Sequence, residues 1–263
     1  MSLQILKPFG PSVMKVKIPE KILNDLNDYV DKIIEDKEKK TKLDYGDQLA
    51  GDVTQEFKIE KKFAMESGWI NFLAKSSVQW IEHEHKKKVT EFILSVLNEL
   101  NIKATFFLIG EQIIKFPELT KKILKDGHYI GNHSLSHING FKANNQKYLY
   151  DVEMGEKLVN EKKVELGVER KNKIFRPPFG RIKPSQIKLL KTKYKIIMWD
   201  VLSWDFKKQI SHQKLYNNVI NNVSPGSIIV FHNNMKSFDN LSKSLKSILI
   251  KLKDNGYSFS TTW

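Results

Sequence analysis

The C-terminal two-thirds of the chain predict an α/β fold, and three observations carry that prediction. Beyond Lys86, short apolar runs recur at residues 104–109, 129–130, 173–175, 195–199, 227–231 and 257–259. They do not alternate strictly with polar residues, which is the pattern of strands buried on both faces of a parallel sheet. Helical periodicity fills the intervals, at 89–100, 111–125, 148–166, 184–191, 212–222 and 241–253. Finally, His, Arg or Asp stands where several of the runs end. Repeated strand–helix units of this kind specify an α/β barrel or a doubly wound sheet.

The first third reads differently. Residues 14–18 alternate like a strand ended by Pro19, and Pro19-Glu20 opens a helix with Ile22, Leu23, Leu26, Val30, Ile33 and Ile34 at helical spacing. The charge run 35–42 is expected to be its solvated end. Gly46, Gly51 and Asp52 mark a loop, and residues 53–59 alternate like a second strand. Residues 65–81 predict an amphipathic helix that buries Trp69, Phe72, Leu73 and Trp80.

Charge divides the chain at the same place. Residues 1–85 hold 13 lysines against 15 acidic residues, a net of −2, whereas residues 86–263 hold 31 basic against 15 acidic, a net of +16. The organisation expected is therefore an α+β segment at 1–85 and a separate α/β domain at 86–263. A basic surface attracts polyanions, but arginine is scarce and no basic cluster interleaves with aromatics, which argues against nucleic acid. There are no cysteines, so disulfides, thiol catalysis and Cys-based zinc sites are excluded. Residues 1–10 contain Pro8 and no apolar run, and no stretch reaches the roughly 18 apolar residues of a membrane span. As given, the chain is expected to be cytoplasmic, or secreted or periplasmic if its true N-terminus differs.

Chemistry concentrates at the run ends. His133 and His137, four apart with Ser134 and Ser136 between them, can share one face of a helical turn or of a loop that curls like one, and so grip a divalent metal. Arg176 follows a second run, Asp200 and Asp205 a third, and His232 a fourth. In parallel α/β folds the C-terminal strand ends are where active sites assemble. His83, His85, His128 and His212 have no such setting; His128 is expected at the surface or behind the site, and His212 at a helix start.

From about Thr90 onward the chain resembles the polysaccharide deacetylases, the NodB-homology carbohydrate esterases. The resemblance rests on an ordered set: Ala104-Thr105-Phe106-Phe107-Leu108-Ile109-Gly110, Gly131-Asn132-His133-Ser134-Leu135-Ser136-His137, Phe175-Arg176-Pro177-Pro178-Phe179-Gly180-Arg181, Trp199-Asp200-Val201-Leu202-Ser203-Trp204-Asp205, and residues 225–232 ending in His232. It implies a distorted (β/α) barrel holding a divalent metal, usually zinc, that removes acetyl groups from an N-acetylated oligo- or polysaccharide. It also implies that His133 and His137 bind the metal and that Arg176 orients a catalytic carboxylate. His232 would protonate the leaving amine, tuned by Asp205 or else Asp200. Phe179, Trp204 and Phe231 would wall the sugar groove or else fill the barrel core.

Residues 1–85 resemble the N-terminal part of a marine phage-type family of 2-oxoglutarate/Fe(II) oxygenases, through Lys7-Pro8-Phe9-Gly10-Pro11, Gly46-Asp47 and Gly51-Asp52-Val53-Thr54-Gln55-Glu56-Phe57. That family's HxD iron motif is absent, so the resemblance implies a fold fragment without its activity. The deacetylase resemblance also has a gap: its Asp-Asp motif, base and third metal ligand, falls by count at Glu82-His83. Either Glu82 serves as base and His83 as third ligand, or the deacetylase has lost its first strand at a junction. The junction is the simpler reading, because residues 80–88 continue a helix. A site without its base loses typically a hundredfold or more in rate, so little or no deacetylase activity is expected. The alternatives are a non-catalytic glycan-binding module on the same fold and a polyanion binder.

Overall fold

A computed structural model describes residues 3–6, 13–43, 60–168 and 172–261. The chain forms two compact units, Met1–Glu84 and His85–Trp263. Among the described residues no helix is long and apolar enough to cross a membrane.

In the first unit, β1 (Leu3–Leu6) pairs antiparallel with β2 (Val13–Val16), which covers the start of the strand expected at 14–18. Helix α1 (Glu20–Glu35) follows Pro19 and buries Ile33, while Leu23 and Ile34, though at helical spacing, remain exposed. The charge run is not the end of α1. Asp36 adopts extended backbone, and its Oδ1 accepts the N–H groups of Glu38 and Lys39 at 3.1 Å each, which starts a second helix, α2 (Lys37–Leu43). The strand expected at 53–59 lies outside the described residues.

Helix α3 (Lys61–Glu66) ends at Gly68, whose φ of 78° only glycine adopts cheaply. Helix α4 (Trp69–Glu99) then runs for 31 residues and joins the helix expected at 65–81, with its continuation through 88, to the one expected at 89–100. The charged residues 82–88 break the apolar periodicity but contain no proline or glycine, so the backbone ladder continues through them. Phe72 is buried as expected, whereas Leu73 is exposed. Glu82 and His83 sit on this helix, and between Glu60 and Ala104 the described residues contain no strand.

The second unit builds the barrel. Its elements are β3 (Thr105–Leu108), α5 (Gly110–Lys115), α6 (Pro117–Lys125), β4 (Tyr129–Asn132), α7 (Asn145–Glu165), β5 (Ile174–Phe175), α8 (Pro184–Leu190), β6 (Lys195–Ile196), β7 (Val201–Leu202), α9 (His212–Ile220), β8 (Ile229–Val230) and α10 (Met235–Asp254). The helix expected at 111–125 is two, divided where Pro117 takes the first helical position of α6. Strands β3-β4-β5-β6 form one parallel sheet, with Thr105 opposite Tyr129 and Ile174 opposite Lys195. Strands β7 and β8 form a second parallel pair, Val201 opposite Ile229. This is a distorted (β/α) barrel, with every strand delivering its C-terminal end to one mouth.

Residues 257–259 are not a strand. Tyr257 and Phe259 satisfy their apolar character by packing on the Leu215, Val219, Ile248 and Leu252 cluster between α9 and α10. At the free edges of β3 and β8, helices supply the cover. Val89, Ile93, Val96 and Leu97 of α4 pack with Leu241, Leu245 and Leu249 of α10 and against Phe106 and Phe231. Each such buried aliphatic side chain contributes about 1.5–3 kcal/mol, so this patch anchors the end of α4 to the barrel.

Helix α7 crosses close beneath the loop after β4 because Gly155 has no side chain. A Cβ there would lie 2.6 Å from both Asn132 Oδ1 and the carbonyl carbon of Ser134. We therefore expect Gly155→Ala to lower the unfolding free energy by about 1–3 kcal/mol, measured by urea denaturation, with no change in the slope of the transition.

Candidate active site

The first piece of the site is the loop leaving β4. Asn132, buried at the strand's end, donates its Nδ2 hydrogen to Val152 O (2.8 Å) and accepts the Ser134 N–H (2.8 Å) through Oδ1. The chain then takes left-handed backbone at Ser134 (φ 64°) and again at His137 (φ 61°), so the two histidines lie on a tight loop rather than a helical turn. Asp151 of α7 holds that loop. Its Oδ1 accepts the N–H groups of Leu135 (3.0 Å) and Ser136 (3.1 Å), and its Oδ2 accepts the Ser136 hydroxyl (2.7 Å). The outcome is that His133 and His137 face each other edge to face, ring centroids 5.0 Å apart.

The tautomer of His133 follows from its partner. Its Nδ1 lies 2.6 Å from Arg176 O, and a carbonyl oxygen can only accept, so Nδ1 carries the proton and Nε2 keeps its lone pair. Burial pushes the His133 pKa down to about 3, with smaller contributions from positive charge at His137, Arg176 and His232. Burial also lowers His137, helped by His232. Both imidazoles are therefore neutral, ligand-competent bases at neutral pH. His133 and His137 follow the C-terminal end of β4 and His232 that of β8, and the charge of His232 is felt at both of the others.

His232 is set by a buried carboxylate. Its Nδ1–H donates to Asp205 Oδ1 at 2.7 Å and its backbone N–H to Asp205 Oδ2 at 2.6 Å, with Asp205 fully buried. The edge of Phe206 packs against the imidazole at 4.7 Å between centroids. This leaves Nε2 as the nitrogen that can exchange a proton with a ligand. Of the two aspartates considered from sequence, Asp205 is thus the partner. Asp200 instead accepts the Ile228 N–H at 2.8 Å and ties the start of β7 to that of β8.

Arg176, just past β5, lies over the Phe107 ring, its Cζ 4.1 Å from the ring centroid. Its Nε and Nη2 donate to the carbonyls of Ile197 (3.3 Å) and Met198 (3.1 Å). Burial lowers its pKa to about 10, which leaves it charged at neutral pH. Among the described residues no carboxylate pairs with it. Phe179, at φ 59°, and Trp204, at φ 64°, stand 59% and 38% exposed, and Phe179 reaches 4.4 Å from the His137 ring. Phe231 belongs to the core beneath.

The remaining candidates stand on other elements. Glu82 and His83 are helical residues of α4, and His83 Nδ1 lies 3.4 Å from Glu84 Oε1. His128 is buried at the opposite strand ends, not exposed, its Nδ1 accepting the Ala104 N–H at 3.2 Å. His212 starts α9, as expected. The donor chemistry of His133 and His137 fits a divalent ion such as zinc as two of its ligands. Among the described residues, however, no group of three or more His, Asp or Glu side chains is gathered closely enough to hold one. Beside His232, Lys86 donates to Asn233 O, and burial lowers its amine to about 8.

With this geometry in place, comparison with known proteins is decisive. The polysaccharide deacetylase family model matches residues 79–194. A peptidoglycan-N-acetylglucosamine deacetylase of Bacillus cereus is 31% identical over 177 residues, 65% of this chain and 79% of the relative. The chain belongs to the polysaccharide deacetylase family. A second Bacillus cereus deacetylase of the same name is 36% identical over 178 residues, and there the chain spans 61% of the relative's length. Among solved structures of polysaccharide deacetylases, the Bc1960 peptidoglycan N-acetylglucosamine deacetylase, bound to a naphthalenyl N-hydroxybenzamide, superimposes with a TM-score of 0.60 at 35% identity, over 65% of this chain and 78% of that one. A CE4 family pseudoenzyme from Bacillus anthracis shares the fold, with a TM-score of 0.58 at 24% identity, over 65% of this chain and 58% of that one.

Sequence reasoning missed the supporting residues of this polysaccharide deacetylase barrel: Asn132, Asp151, Phe107 and Phe206. Asp151 had a signal. It sits three residues after Tyr148 and one before Val152, an acid on the apolar face of α7, and a carboxylate there needs partners.

Because His133 and His137 resist protonation when folded, acid should destabilise the protein through them. Between about pH 6.5 and 3 the unfolded His133 takes up a proton that the folded one does not, so stability falls as pH drops through that window. Urea midpoints of chelator-treated protein at pH 7.5 and 4.5 should show a smaller acid loss for His133→Gln than for the wild type.

Proposed function

We propose that this chain hydrolyses N-acetyl groups on a glycan containing N-acetylglucosamine, with a divalent cation, zinc by the donor chemistry, and at a rate limited by the lack of an acidic base. The observation that carries this reading is the convergence of His133, His137 and the Asp205–His232 pair at one barrel mouth beside Arg176. The names of the relatives supply the substrate class.

Hydrolysis adds water across the acetamide: the C–N bond breaks, the carbonyl carbon gains an oxygen, and the amine gains a proton. His232 is placed to give that proton. Asp205 fixes its Nδ1–H, steadies the imidazolium, and leaves Nε2 to face the leaving nitrogen. A divalent cation held by the Nε2 of His133 and by His137 would supply Lewis acidity toward the acetyl oxygen. The guanidinium of Arg176, immobilised on Phe107, offers a charged donor for a carboxylate. In the family resemblance that carboxylate is the first Asp of an Asp-Asp pair; here the corresponding count falls on Glu82 and His83, on helix α4. The loss of that pair, and the joining of an oxygenase-like N-terminal piece at this point, are part of the same reading.

The second reading is a glycan-binding module on the same fold that performs no chemistry. It is favoured by one observation, that Arg176 has no carboxylate partner among the described residues.

Acetate release from N-acetylchitopentaose by the zinc-supplemented full chain tests both. We expect turnover roughly a hundredfold or more below that of a relative with its base intact, abolished by His232→Ala and by chelation. His133→Ala should lower the bound zinc. Glycan binding without acetate release would instead establish the binding module, and neither binding nor release would sink both readings.

A further inference from the structure

Where the chain enters β5 and β6, at the opposite strand ends from His133 and Arg176, residues of α7 and of the two entering segments line a cleft of about 550 Å³. That volume lies within the range of small-molecule sites. We infer that the cleft is a second binding site, for a small zwitterion of the amino-acid class, with the ammonium on Glu156 and the carboxylate between Lys157 and Lys173.

The first ground is a buried carboxylate. Glu156 lines the cleft but is only 7% exposed, and its Oε2 is buried without a hydrogen-bond partner. A carboxylate oxygen taken out of water and given no donor is costly, and its presence calls for a ligand that supplies one. Burial raises the Glu156 pKa, and Lys163, Lys173 and Asn132 offset that rise only in part. The Lys163 amine is engaged elsewhere, 3.3 Å from the Tyr129 hydroxyl and 4.5 Å from that ring's centroid. The terminal torsion of a glutamate is soft, so either oxygen can turn to a donor that enters the cleft. An ammonium is the donor whose charge matches.

The second ground is the charge around that carboxylate. Glu153, the other acid of the wall, is already committed, its Oε1 accepting from Lys193 Nζ at 2.9 Å. Lys157 and Lys173 line the cleft and stand exposed. A metal ion alone would meet the repulsion of both lysines, and a simple anion would meet that of Glu156. A ligand carrying both signs answers each.

The third ground is the uncharged part of the wall, Asn160 and Tyr194. Tyr194 is fixed edge-on to Phe175, ring centroids 6.1 Å apart. Burial raises its pKa, and the negative charges of Glu156 and Glu153 add to the rise, so the phenol keeps its proton and stands within reach of the Glu156 field. An amide and a phenol each both donate and accept, which suits a polar side chain on the ligand.

The test is calorimetric titration of the full chain with three probes: L-glutamine, L-glutaminamide, which lacks the carboxylate, and N-acetyl-L-glutamine, which lacks the ammonium. We expect glutamine to bind tightest and each of the others to bind about tenfold more weakly, the worth of one charge-assisted hydrogen bond. Glu156→Gln should weaken glutamine about tenfold and change N-acetylglutamine less than about twofold. Its melting temperature should be unchanged or higher, since the substitution removes an unsatisfied buried charge. Lys157→Gln/Lys173→Gln, at exposed positions, should weaken glutamine while leaving glutaminamide as it was. Equal binding of the three probes, or full binding by Glu156→Gln, would overturn the assignment. A wild type that binds none of them, with Glu156→Gln melting higher, would identify Glu156 as a protonated core group and overturn it as well. Acetate release enters none of these readouts, so the deacetylase reading stands or falls separately.

Discussion

The loop between His133 and His137 twice adopts left-handed backbone at residues with side chains, and beyond His133, whose N–H still bonds to Leu108 O of β3, it has left the sheet. Left alone, such a loop would relax. Asp151 prevents this by accepting three hydrogen bonds from it, each assisted by the carboxylate's charge. The same helix turn presents Val152 O to Asn132, so strand end, loop and helix are joined by one polar cluster. The mutual orientation of the two imidazoles depends on that cluster more than on any contact between the histidines.

The other half of the site uses the same device. Asp205, fully buried, spends both oxygens on His232 and has its own carbonyl engaged by Asn240 of α10 at 2.6 Å. In each case a carboxylate taken out of water is tolerated because its lone pairs are filled, and the cost of burying it is returned as orientation of a reactive ring. Arg176 is immobilised differently, by carbonyls and an aromatic face, which keeps its charge available.

Much of this was legible in the residues. Parallel strands buried on both faces write themselves as unbroken apolar runs, so the β3 to β6 sheet and the polar residues at its C-terminal ends could be placed, and the pairing of His232 with Asp205 was among the two options weighed. What was illegible has physical causes. Charged residues 82–88 interrupt an apolar stripe without interrupting a helix; the helix was read through them, but its union with the periodic stretch at 89–100 into one element was not. Tyr257 and Phe259 are as apolar as strand residues but find their burial against helices. Asp151 acts through backbone groups of a loop fifteen residues away, which no local pattern announces. The short β7 had no signal beyond Val201 and Leu202.

The two sheets of the barrel divide the chemistry between them. His133, His137 and Arg176 ride on the ends of β4 and β5, whereas Asp205 and His232 ride on those of β7 and β8, and among the described residues no ladder joins the pairs. The width of the gap that a substrate must span is consequently governed by soft side-chain packing along a seam and not by stiff backbone bonds. Such a seam can widen or narrow by fractions of an ångström at little expense. Drift in core volume at that junction can therefore retune the spacing between cation-binding and proton-donating groups while every one of those groups stays unchanged.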